Sequence, residues 1–156
     1  MSLRPATAAD GPFLRAVHAS TLSAELAALR HDADAADVFA RMQFDLQERG
    51  YRAAHPAAAF LVVLLDDRPS GRLYVDRTPA EIHVLEIALL PEHRGRGIGT
   101  ELLRGLIDEA RQSGRRVTLS VLRFNPALAL YRRLGFSATG SDEVRTQLEW
   151  RAGDCP

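Results

Sequence analysis

"LLPEHRGRGIGTELL", residues 89–103, joins an apolar run to an amphipathic one through three alternating glycines, Gly95, Gly97 and Gly99. Before it, "IHVLEIALL" (82–90) reads as a strand. After it, Ile98, Leu102, Leu103, Leu106, Ile107 and Ala110 fall on one face of a helix predicted over about 99–113, with Gly114 as its stop. The glycines therefore sit where a helix begins. There the first N–H groups have no partner within the helix and the peptide dipoles leave partial positive charge, so an anionic phosphate is a favourable ligand. Bare backbone lets a pyrophosphate approach those amides; a tight, closely packed turn is the other reading of the same glycines. A dinucleotide GxGxxG fingerprint fails, because Thr100 and Leu102 stand where its third glycine would fall. A Walker loop fails too, since the chain contains no lysine.

Working outward, the centre has the period of strands. "AAFLVVLLDD" (58–67) reads as a buried strand, "RPSG" (68–71) as a turn and "RLYVDR" (72–77) as a second strand, with "TPAE" leading into the third. The order then becomes helix, strand "VTLSVLR", helix "PALALYRRL", and a last strand or hairpin ending in "VRTQLEW". Near the start, "SLRPAT" is a short strand, and Thr7 and Asp10 are spaced as a capping box with aspartate in the place of Glu/Gln. Phe13, Leu14 and Val17 share the face of the helix that follows. A second helix over roughly 34–49 carries Val38, Phe39, Met42 and Leu46 as its apolar stripe, and "ERGY" stops it. The result is an α/β chain on a mixed sheet.

Bulk properties bound the rest. With 156 residues, 46% of them hydrophobic and 26% charged, the chain reads as one soluble globular domain, 1–156. Its 20 basic residues, all arginine, balance 20 acidic ones, so no global field draws it to nucleic acid or an anionic membrane. No apolar run reaches the roughly 18 residues of a membrane span, and a cytoplasmic location is the default. The lone cysteine, Cys155, reads as a terminal thiol. No metal-ligand cluster or catalytic triad is legible.

"RGRGIG" (94–99) resembles the Q/RxxGxG/A coenzyme A motif of the GCN5-related N-acetyltransferases, with Arg94, Gly97 and Gly99 at its fixed positions. "EIALLPEH" resembles that family's fourth strand and its exit, and "NPALALYRRLGF" (125–136) its later asparagine-to-tyrosine helix. The similarity covers most of 58–150. It implies a GNAT-like fold, a mixed, mostly antiparallel sheet flanked by helices, whose fourth and fifth strands splay around the pantetheine arm of acetyl-CoA. It also implies that the loop Arg94, Gly95, Arg96, Gly97, Ile98, Gly99 and Thr100 meets the pyrophosphate, Arg96 being alternatively a solvated charge. Backbone at Ile87, Ala88 and Leu89 would bond the pantetheine and polarise the thioester carbonyl.

Acetyl transfer to an amine needs a proton acceptor for the amine and a proton for the departing thiolate. His83 stands where relatives carry a Glu or His base, and its ordinary pKa suits that task; a paired or solvated strand histidine is the alternative. Strand alternation puts His83 on one face and Glu86 on the other unless a bulge intervenes. Glu86, a carboxylate among apolar neighbours, must find a partner or solvent, as base, amine anchor or structural acceptor. Asn125 before Pro126 reads as a helix cap, and the resemblance adds a coenzyme contact. Tyr131 falls on an apolar helix face, and the resemblance makes it the general acid. The acceptor side would come from about 20–56, where Phe44, away from the main stripe, and Gln43, Gln47 and Tyr51 line a pocket or form a homodimer contact. These readings converge on an acetyl-CoA-dependent N-acetyltransferase working by direct attack of an amine; the alternative is a non-catalytic acyl-CoA-binding sensor.

Overall fold

The structure, a computed structural model, describes residues 1–22, 26–29 and 31–153, so Cys155 lies outside the described residues. Its strands are β1 (Ser2–Pro5), β2 (Ala59–Leu65), β3 (Arg68–Arg77), β4 (Glu81–Leu89), β5 (Arg116–Leu122), β6 (Ser137–Ser141) and β7 (Arg145–Trp150). Its longer helices are α1 (Gly11–Ser20), α2 (Ala33–Ala54), α3 (Ile98–Ser113) and α4 (Leu128–Arg133). The seven strands form a mixed sheet in the order β1-β2-β3-β4-β5-β7-β6. β1 with β2, β5 with β7 and β6 with β7 run antiparallel, while β4 and β5 run parallel. β4 pairs with β5 over Glu81–Val84 against Arg116–Leu119.

The chain divides into two compact units, Met1–Tyr74 with Glu86–Arg94, and Val75–Leu85 with Gly95–Pro156. In the first, Leu14 of α1, Phe44 of α2 and Val62 of β2 form a buried cluster against Ala6, Phe13 and Leu64. Burying one such side chain stabilises by about 1.5–3 kcal/mol. The Asp10 carboxylate accepts the Thr7 backbone N–H at 2.7 Å, as the capping-box spacing predicts, and is held bidentately by Arg4 at 2.8 Å.

Three expectations for this unit are corrected. Helix α2 does not stop at "ERGY" but continues to Ala54. Gly50 costs a helix interior only about 1 kcal/mol, and the next residue, Tyr51, is anchored to Glu86 and packs edge-on to Tyr74. The face of α2 is also reversed: Phe44 is buried, whereas Val38, Met42 and Leu46 are 56%, 58% and 60% exposed. The helical period was right; it located a stripe without saying which stripe the core takes. Finally, the turn between β2 and β3 is Asp66–Asp67, whose φ values of 49° and 63° suit a two-residue hairpin, and "RPSG" belongs to β3. Aspartate tolerates the left-handed region better than most side chains. Within β3, Gly71 is required by close approach: a Cβ there would stand 2.4 Å from the Ala88 carbonyl oxygen.

In the second unit the predicted face of α3, from Ile98 to Ala110, is buried. Gly114 ends the helix at φ 69°, donating its N–H to the Ala110 carbonyl. β5 buries Val117, Leu119 and Val121 in alternation, and β7 buries Leu148 and Trp150. Arg77 and Arg115 both hold the Glu109 carboxylate of α3, at 2.6 and 3.2 Å, which keeps its pKa below the ordinary range.

Candidate active site

Gly97 precedes α3 in the left-handed region at φ 78°, and Gly95 stands at φ 74°. These two positions favour glycine for conformation. Gly99 needs no positive φ. A Cβ built on any of the three meets no atom within 4 Å, so close packing explains none of them. With Gly97 as N-cap, no side chain caps the helix, and the first helical N–H bond is that of Glu101 to the Gly97 carbonyl, 3.0 Å. The amides of Ile98, Gly99 and Thr100 thus lie ahead of the helical hydrogen-bond ladder.

The flanking arginines differ. Arg94 donates Nε to the Leu89 carbonyl at 3.0 Å and Nη2 to Ser20 Oγ at 2.9 Å, tying the exit of β4 to the end of α1. Arg96 is exposed. Ile87, Ala88 and Leu89 form the half-buried last stretch of β4, and Leu90 N–H continues onto the Ser70 carbonyl at 3.0 Å.

Also in the second unit, Tyr131 is buried, its ring edge-on to Phe136 with centroids 5.8 Å apart. Asn125 Oδ1 accepts the Ala127 N–H at 2.8 Å, and its carbonyl accepts that of Leu128 at 3.0 Å. Asn125 therefore caps a turn ahead of α4, which starts at Leu128 and not at Pro126. His83 Nδ1 lies 2.8 Å from Thr118 Oγ1, which in turn donates to Glu81 Oε2 at 3.2 Å.

Glu86 belongs to the first unit, where the structure adds a cluster that sequence reasoning missed. Arg72 of β3 is fully buried. Its Nη2 donates to Gln47 Oε1 at 2.8 Å and lies 3.5 Å from Glu86 Oε2, while its Nη1 lies 3.6 Å from Glu48 Oε1. Gln47 Nε2 and the Tyr51 hydroxyl donate to the same Glu86 oxygen, at 3.3 and 3.2 Å. Two of the predicted acceptor-side residues, Gln47 and Tyr51, thus meet the carboxylate that needed a partner. Phe44 is instead core, packing its ring 6.0 Å from His18, and Gln43 is half-buried.

Charge orders this cluster. A guanidinium only donates, so His18 Nδ1, 3.2 Å from Arg72 Nη2, must accept, and the ring proton resides on Nε2. Burial and then the Arg72 charge lower the His18 pKa, in keeping with a neutral ring. The Tyr74 hydroxyl donates to Glu48 at 2.5 Å, and burial followed by that hydrogen bond raises the Tyr74 pKa, keeping the phenol protonated. Arg72 therefore meets both carboxylates, and Arg52 Nη2 also approaches Glu48 Oε2, at 3.8 Å, so Glu48 shares a second guanidinium while, among the described residues, Glu86 has Arg72 alone. Glu86 is the more open of the two, with 21% side-chain exposure against 13% for Glu48. The sequence around Arg72 offers one weak hint, a charged residue leading directly into the apolar run Leu73, Tyr74 and Val75.

Glycine-opened helix amides on a mixed sheet with parallel β4 and β5 point to the class of GNAT-fold proteins. The chain belongs to the acetyltransferase (GNAT) family, whose model matches residues 24–136. It is 32% identical over 138 residues to mycothiol acetyltransferase of Nocardiopsis dassonvillei, covering 87% of this chain and 42% of that one. It is 49% identical over 73 residues to N-alpha-acetyltransferase RimI of Mycobacterium tuberculosis, covering 46% and 45%. The chain thus spans less than half the length of these curated relatives. Among solved structures it shares its fold with the PaiA N-acetyltransferase of Thermoplasma acidophilum in complex with coenzyme A, with TM-score 0.70 and 19% identity over 96% of this chain and 98% of that one. No helix among the described residues is long and apolar enough to cross a membrane.

Proposed function

We propose that this chain is an N-acetyltransferase that moves the acetyl group of acetyl-CoA directly onto a primary amine within a ternary complex. The carrying observation is the open space above Gly95, Gly97 and Gly99, where neither packing nor, at Gly99, backbone conformation asks for glycine. Access to the amides of Ile98, Gly99 and Thr100 is the remaining physical reason, and a diphosphate is the ligand such amides suit. Arg96 adds a positive charge beside them; Arg94 acts through the loop's position, since Leu89 and Ser20 hold its side chain.

When bound, acetyl-CoA supplies an electrophilic thioester carbonyl. Glu86 anchors the acceptor as an ammonium and takes the proton that the nitrogen loses, being the more open carboxylate of its cluster. A C–N bond forms as the C–S bond breaks, and the Tyr131 phenol gives its proton to the departing sulfur. The main-chain N–H groups around Ile87–Leu89 polarise the carbonyl. Asn125 shapes the turn before Tyr131. Both candidate bases have partners, Thr118 for His83 and Gln47, Tyr51 and Arg72 for Glu86, and we take Glu86 as the base with His83 as the alternative. The acceptor is a cationic amine, and the site of action is cytoplasmic.

Gly99→Val tests the carrying observation. A Cβ at this position meets no neighbouring atom within 4 Å, so unfolding free energy should stay within about 0.5 kcal/mol of the parent. Coenzyme A affinity, measured by calorimetry, should fall at least ~10-fold, equivalent to about 1.4 kcal/mol. Unchanged affinity would remove the glycine loop as the diphosphate site. Thiol release with a panel of amines tests turnover itself; binding without release on any amine would favour the sensor.

A further inference from the structure

Helix α2 carries an apolar row that the first unit leaves in solvent. Val38, Met42 and Leu46, spaced four apart, are each more than half exposed. Such a row forms a ridge along one side of a helix about 33 Å long. At its N-terminal end the ridge borders a surface depression of about 560 Å³ lined by Leu29, Ala35, Val38, Phe39 and Met42 and rimmed by Asp32 and Asp34. The C-terminal end presents a complementary pair: Leu46 as an apolar knob and, three residues on, the exposed Arg49.

We infer that α2 is a self-association surface, on which a second copy of this chain packs its own α2 antiparallel about a two-fold axis at Met42. That operation sets residue i against residue 84 − i, so Leu46 of one copy faces Val38 of the other and enters its depression. Arg49 then faces Ala35, beside the acidic rim at Asp34. Because the contact is isologous, each depression is filled by the other copy's Leu46 and each acidic rim is met by the other copy's Arg49. Antiparallel packing also sets the positive end of each helix dipole beside the negative end of the other. The exposed charges fix register more than affinity, which comes from burying the ridge. A second copy is the occupant because both halves of the complementarity, knob with cation and depression with acid, are on this one helix.

Sedimentation across a concentration series tests this. The parent should be dimeric, and Met42→Arg should weaken the dimer at least ~10-fold while leaving the monomer's melting unchanged, since Met42 packs little within its own unit. Arg49→Asp should weaken association by setting acid against acid, and adding Asp34→Arg to it should restore it. A chain monomeric throughout would overturn the inference, as would a dimer indifferent to Met42→Arg or an Arg49→Asp defect that Asp34→Arg fails to repair. Monomers whose stripe variants change only the acceptor KM would assign the ridge to substrate binding instead.

Discussion

Arg72 and Glu86 concentrate the physics of the first unit. Removing one member of a buried ion pair costs about 3–5 kcal/mol because the other is left uncompensated, so Glu86 is best probed by an isostere. Glu86→Gln keeps the size, and its amide oxygen can still accept from Gln47 and Tyr51, but it can neither anchor an ammonium by charge nor take a proton. We expect kcat/KM to fall by about 10²–10⁴-fold and the limb of the pH profile that reports a catalytic base to disappear, with coenzyme A affinity kept. Steady-state kinetics across pH, with calorimetry, would check this; a parent-like profile would leave Glu86 as scaffolding. How far the sequence reached is plain at these positions. A carboxylate stranded in an apolar strand had to find a partner or solvent, and Gln47 and Tyr51 were legible only as acceptor-side candidates, not as the groups that Glu86 meets. Arg72 could not be found in that way. Its partners lie on α1, α2 and β4, and no local spacing encodes a meeting between residues up to 54 positions apart.

Elements were legible where local chemistry decides and misread where tertiary contacts override it. α3 keeps its predicted face and its Gly114 stop because both follow from periodicity and the left-handed stop. α2 does not, because Gly50 punctuates only when nothing beyond it holds the helix together. Gly50 has no positive φ, and a Cβ there meets no atom within 4 Å. Gly50→Ala should therefore stabilise the protein by about 0.5–1 kcal/mol, read as a higher denaturant midpoint with an unchanged slope. A loss of stability would mean that the C-terminal half of α2 strains against its neighbours. The hairpin turn was misassigned for a related reason: "RPSG" carries stronger turn residues than "DD", yet the strand continues through it.

For the whole molecule, the pH dependence of stability follows from one imidazole. The His18 pKa is lowered below its ordinary 6.5 by burial and by Arg72, so the unfolded chain binds that proton more readily. Stability tied to the neutral ring is fully present above pH 6.5 and is lost as pH falls from there toward the folded value. The lowered carboxylates Asp10, Asp142 and Glu109 act in a more acidic window, below their ordinary 3.8–4.5. Unfolding free energy should thus decline as pH falls below about 6.5, and His18→Asn, which keeps an acceptor for Arg72, should flatten that decline; an unaltered slope would place the titration elsewhere. The overall topology was readable because a glycine motif and a later helix both matched one family, whereas charge inside a unit is set by folding. The division of the chain has a last consequence. The boundary falls within β3 at Tyr74/Val75 and within β4 at Leu85/Glu86, and again at Arg94/Gly95. No single cut can release either half intact, so split reporters or domain grafts drawn at one breakpoint would always strand part of one half on the wrong fragment.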